Sequence, residues 1–236
     1  MSDQQQTPDE YQQLHEAARK IVEESQDIQA EVRKLTLEAL GKGNLEKDRI
    51  KAVVQSVLEG AQVGSQEKGE NLKSALSQAV NGLDEALVKT ASATKLAIQE
   101  AAGHVKEYTQ HDIKRALDDL EGLETTFIDV IKDVANSSTE LASRILNDLA
   151  SHAKNSGTAV GKKSSESLAT LRDQLKQLGK ESFMAGADAA KSVSVRIARA
   201  SSGFLAGLAD TIEGGHRKDT PADETSADTT SEDKPR

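Results

Sequence analysis

The stretch LKSALSQAVNGLDEALVKTASATKLAIQEAA, residues 72–102, decides how this chain is read. Leu72, Leu76, Val80, Leu83, Leu87, Ala91 and Ile98 fall on three columns of an eleven-residue cycle, 0, 4 and 8 residues into each repeat. Eleven residues in three turns is about 3.67 per turn, close to the natural α-helix, so the stripe stays on one side of a nearly straight helix. The same columns run on to Ile212 and take in thirty-nine positions, of which only Glu124 is charged. With 29% charged residues overall, an even spread would put about eleven charges there. Twenty-two of the positions are Leu, Ile, Val or Phe and sixteen are Ala, Ser, Thr or Gly. The face is continuous but only weakly hydrophobic.

Composition agrees with helix. The three prolines are Pro8, Pro221 and Pro235, so the long interval between the first two holds none of the residue that breaks helix interiors. Aromatic residues make up 2%, fewer than an ordinary globular core uses, which favours an elongated object with a thin core. No eighteen-residue apolar run is present, so no transmembrane helix is expected. Met1 to Glu10 lacks the apolar centre of a signal peptide, and no cysteine offers a disulfide or thiolate metal site. A cytoplasmic location, peripheral to a membrane or granule, is the expectation.

Thr7, Pro8 and Glu10 read as a capping box that opens the helical region. Gly214-Gly215 reads as its stop. Residues 1–8 are expected to be flexible, 9–213 helical, and 214–236 a disordered polar tail with too little apolar surface to order. Leu14, Ala18, Ile21, Ser25, Ile28, Val32, Leu35 and Ala39 continue an apolar seam at 4-3 spacing. Breaks are expected near 41–44, 60–69 and 155–161, where Gly and Asn gather. The predicted helices are 9–40, 45–63, 66–154 and 158–213, the third with possible bend points at Asn81-Gly82, Gly103 or Asn136-Ser137-Ser138. One helix from 72 to 212 would be about 210 Å long, so folding back at the glycine-rich points is expected. The fold class is all-α: long amphipathic helices with eleven-residue periodicity in an elongated folded-back bundle or coiled coil.

Charge is unevenly spread. Residues 1–153 carry 17 Lys/Arg against 27 Asp/Glu, whereas residues 154–199 carry 9 against 4. The two parts either pack together or present the basic part to an anionic surface. Residues 192–213 are the candidate contact helix. Val193, Ile197, Phe204, Leu205, Leu208 and Ile212 concentrate apolar side chains there, and Arg196 and Arg199 can reach anionic headgroups. Gly203 and Gly207 would equally admit a close helix neighbour.

The eleven-residue cycle and the abundance of Ala, Ser, Thr, Lys and Glu resemble lipid- and granule-coating proteins: apolipoproteins, perilipins and the phasins of bacterial polyester granules. Ala91-Ser92-Ala93-Thr94-Lys95-Leu96-Ala97 is also similar to segments of late-embryogenesis-abundant proteins. The resemblance covers most of 14–212. It is one of pattern, without a diagnostic motif, so it implies a class and assigns no residue a role.

Other chemistries find little here. Glu100/His104, Glu107/His111 and Asp148/His152 are i,i+4 pairs on the polar side, without the matched Glu-x-x-His pairs of a bundle di-iron site. No Gly-x-Ser-x-Gly turn is present, and Gly157, Gly161, Lys162 and Lys163 lack the spacing of a phosphate loop. Lys154, Lys162, Lys163, Arg172, Lys176, Lys180, Lys191, Arg196 and Arg199 surround the helix rather than line one side, which disfavours nucleic-acid binding. A non-enzymatic helical interaction protein is expected, with no metal, no cofactor and no small-molecule substrate. Its partners would be itself and a lipid or polyester-granule surface. The alternative is a helical-bundle or coiled-coil scaffold that binds other protein helices.

Overall fold

A computed structural model describes residues 8–42, 46–68, 71–103 and 110–177. Those residues form seven helices and no strand. They are α1 (Pro8–Glu24), α2 (Ile28–Gly41), α3 (Lys47–Lys68), α4 (Leu72–Gly103), α5 (Gln110–Ser137), α6 (Glu140–Ser156) and α7 (Ala159–Gln177). The protein is all-α, and its helices fold back on one another as a bundle.

The helix boundaries depart from the sequence expectation in informative places. The expected helix 9–40 is two helices. Ser25 Oγ accepts from the Asp27 amide at 3.0 Å, and Asp27 accepts from the Ala30 amide at 3.0 Å as the cap of α2. Short polar side chains thus take backbone bonds that a continuous helix would use, and α2 starts afresh. The weak region expected at 60–69 is helical through Gly60 and Gly64, and α4 likewise runs unbroken through Asn81 and Gly82. The expected helix 66–154 is divided. α4 is described as far as Gly103, and α5 ends at Ser137 beside the Asn136-Ser137-Ser138 bend point. The expected break at 155–161 occurs, with Gly157 at φ 74° and α7 beginning two residues later. Residues 178–213 and the tail 214–236 lie outside the described residues.

Gly60, Gly64 and Gly82 are crossing points. A Cβ on Gly60 would overlap the carbonyl oxygen of His15, and one on Gly64 that of Arg19. A Cβ on Gly82 would crowd the carbonyl oxygen of Gln29 on α2. The pairing of 15 with 60 and 19 with 64 makes α1 and α3 run in the same direction. In the same way Asp84 meets Val160 and Gln99 meets Gln174, so α7 runs parallel to α4. Packing therefore couples alternate helices, α1 with α3 and α2 with α4, and α7 lies along both α4 and α5.

The core is aliphatic. It is built from Leu, Ile, Val and Ala, with Phe127 its one fully buried aromatic among the described residues. The described positions of the three sequence columns face inward: Leu76, Leu83, Leu87, Ile98, Leu120, Phe127, Ile131, Leu146 and Leu171 are buried, and only Gly157 is exposed. Small polar residues enter this seam because they return their hydroxyls to their own helix. Thr36 donates to Val32 O, Ser65 to Ala61 O, Thr90 to Ala86 O and Thr126 to Gly122 O. Each bond removes the penalty of an unpaired buried hydroxyl.

Among the described residues one charged side chain is drawn into the interior. Arg49, at the start of α3, is 5% exposed. Its guanidinium donates to Ala39 O at 2.6 Å and to Glu10 at 3.0 Å. A single side chain thereby ties the beginning of α1 and the end of α2 to α3.

Candidate functional site

The polar features of the bundle converge where α7 begins. Glu124, the lone charge in the apolar columns, sits on α5 and accepts from both the amide (2.9 Å) and the hydroxyl (2.8 Å) of Thr158. Its carboxylate fills the space a side chain at Gly161 would need. Thr158 Oγ1 in turn accepts from the Gly161 amide at 2.8 Å, so Thr158 is the N-cap of α7. Asp84 on α4 accepts from the amides of Ala159 and Val160, both at 2.8 Å. Two carboxylates from two helices thus receive the first amides of a third, the positive end of its dipole. The lone Glu124 was the sequence signal for this junction. Asp84 gave none, because its partners lie 75 and 76 residues away.

Burial pushes the Asp84 carboxyl above the ordinary aspartate range. The two backbone amides pull it back only in part, and Glu124 and Glu85 push it up further. An acid whose folded value is raised holds its proton longer in the native state than in the unfolded one. Asp84 therefore favours folding most at acid pH and loses that contribution as pH rises through its raised value. Relative to Asp84→Asn, the native protein should lose stability as pH rises from the ordinary aspartate range toward neutral, then level off. Urea unfolding of both proteins across that range measures this, and a difference that grows with pH would contradict it.

A cleft of about 210 Å³ lies between α5 and α7, lined by Glu121, Glu124, Gly161, Ser164, Ser165, Leu168, Ala169 and Arg172. Arg172 bridges it by pairing with Glu121 at 3.2 Å. Both side chains are more than half exposed, so this pair contributes little to stability. Elsewhere, burial also raises Asp119, against the opposing pull of Arg115.

Other residues singled out in the sequence are scattered. Asp148 and His152 are both exposed on α6, where His152 Nδ1 lies 3.5 Å from Ser156 Oγ. Among the described residues no group of three His, Cys, Asp or Glu gathers as a metal site. Glu100 is exposed at the end of α4, while His104, Glu107 and the side chain of His111 lie outside what is described. Lys154, Lys162 and Arg172 are exposed and Lys163 is half-buried. The candidate contact residues Val193, Arg196, Ile197, Arg199, Phe204, Leu205, Leu208 and Ile212 all lie outside the described residues, as do Gly203 and Gly207.

No helix among the described residues is long and apolar enough to cross a membrane. No curated protein and no solved structure matches the chain. A family of unknown function, DUF6781, matches residues 3–214, and the chain belongs to that family.

Proposed function

We propose that this chain is a non-enzymatic helical interaction protein that associates peripherally with a hydrophobic or anionic surface, a membrane face or storage granule in the cytoplasm. In this reading the bundle is the folded platform and residues 192–213 are the contact. The observation that carries it is how the apolar surface is distributed. Within the described bundle the apolar columns are spent on internal packing, and Leu96 and Leu141 are its exposed large hydrophobics. Downstream, Val193, Ile197, Phe204, Leu205, Leu208 and Ile212 supply apolar contact area, with Arg196 and Arg199 beside them for anionic groups.

Co-sedimentation of the full chain with anionic vesicles tests this. Phe204→Asp with Leu208→Asp should weaken vesicle binding more than tenfold. Urea unfolding of the bundle should be unchanged. Binding that survives the double substitution would refute the contact.

A second reading, a scaffold that binds other protein helices, is favoured by one observation. Gly60 and Gly64 already admit a helix backbone at close range in this chain, and Gly203 and Gly207 repeat their spacing. Under that reading the protein forms a discrete oligomer in buffer that Gly203→Leu disrupts, and vesicles stay unbound.

A further inference from the structure

The seam beneath α7 is unlike the rest of the bundle. Buried hydroxyls on α2, α3, α4 and α5 return to their own helix, but Ser164 and Ser167 on α7 are 3% and 0% exposed and their hydroxyls find no hydrogen-bond partner. Each loses its hydration on docking without a replacement bond. The cleft between α5 and α7 leaves part of that seam unfilled, so contacts are forgone there. The buried aliphatic residues of α7 that are described are Val160, Leu168 and Leu171, whereas α4 buries Leu76, Val80, Leu83, Leu87 and Ile98 together with several alanines. The Asp84 and Glu124 carboxylates hold α7 at its first turn alone. Immediately before that turn stands Gly157, exposed, at positive φ, with nothing within 4 Å of where its Cβ would be. Glycine adopts that conformation without steric cost and gives the chain a free joint.

We infer that α7 is a detachable helix, which leaves α4 and α5 by turning about Gly157 while α1 to α6 stay folded. Undocking hydrates Ser164 and Ser167 and uncovers the face of α4 and α5 along which α7 lies. The inference does not rest on the surface-binding reading, since it concerns the protein in buffer with no vesicle present.

Hydrogen exchange of the full chain in buffer tests it. Amides 162–174 should be protected about a hundredfold less than amides 76–98 of α4, because they open by a sub-global route. Ser164→Ala with Ser167→Ala removes both unpaired hydroxyls and should slow exchange in α7 by about tenfold or more, leaving α4 unchanged. The exposed control Ser165→Ala brings about half the helix-propensity gain of the pair and should change it less than about threefold. Equal protection of α7 and α4 overturns the inference. So does a double substitution that slows both helices alike or neither, or a control as effective as the pair.

Discussion

Gly60→Ala should destabilise the protein by about 3 kcal/mol, although the same change in an isolated helix is stabilising. The sign follows from what stands opposite. A methyl group at Gly60 would occupy the place of the His15 carbonyl oxygen and touch the Ala18 side chain, so α1 must move away from α3. That movement loosens the contacts of Leu14, Ala18 and Val22, all buried. Backbone cannot swing aside as a flexible side chain can, so the strain spreads along the helix pair. Gly64→Ala should behave alike, because its methyl would meet Arg19 backbone one turn further on. Gly122→Ala is the control, since nothing lies within 4 Å of the added carbon. It should raise stability by about 0.5–1 kcal/mol through helix propensity alone. Thermal unfolding separates the cases: the first change lowers Tm by about 6–12 °C and the control raises it slightly. A Gly60→Ala protein as stable as the native one would mean that α1 does not cross α3 there.

Arg49→Ala should cost a comparable amount, again about 3 kcal/mol. The guanidinium is nearly shut off from water, and its loss strands the Glu10 carboxylate on α1 and leaves the Ala39 carbonyl at the end of α2 with only the long bond from the Lys42 amide. The Glu10 side chain keeps 29% of its exposure, so water recovers part of that loss and the figure sits at the low end for a broken buried pair. Arg49→Lys should lose about half as much, since an ammonium keeps the charge and can donate to both acceptors as the single Nη2 does, but does not fill the buried space of the guanidinium. Arg33→Ala is the useful contrast. Its 2.7 Å pair with Glu85 is shorter, yet both side chains are about a third exposed. Its removal should cost about 1 kcal/mol or less and should fade in salt. Urea unfolding of the variants at low and high salt orders these effects. An Arg33 variant as damaging as the Arg49 variant would show that burial is not what gives the inner pair its weight.

The parts of this fold that could be read from sequence were those written in local periodicity. Leu76, Leu83, Leu87 and Ile98 declare a helix face because a whole number of turns separates each from the next, and the face is indeed turned inward. Asn136-Ser137-Ser138 was legible as one of three possible bend points, from its residue types and not from periodicity. The break at Ser25-Gln26-Asp27 was not, because Ser25 falls in phase with the apolar seam and nothing in the spacing shows its hydroxyl turning to the Asp27 amide. Gly60, Gly64 and Gly82 lie inside helices and do not interrupt them. A glycine within a helix marks either a flaw or a crossing, and only the neighbour, here His15, Arg19 or Gln29, decides which. Glu124 was visible as an anomaly, but its meaning depended on Thr158, 34 residues away. Long-range pairing of that kind leaves no trace in a single chain's periodicity.

In this fold the eleven-residue stripe is the buried seam between helices. The absence of cysteine from the chain allows single cysteines to be placed at will. Ala91→Cys, Ala135→Cys and Ala142→Cys put a thiol at buried positions, and Lys89→Cys, Thr125→Cys and Ser151→Cys put one at exposed neighbours. Thiol labelling of the native protein in buffer should modify the second set at least a hundredfold faster than the first, with the difference vanishing in urea. Equal labelling of both sets without denaturant would contradict the account.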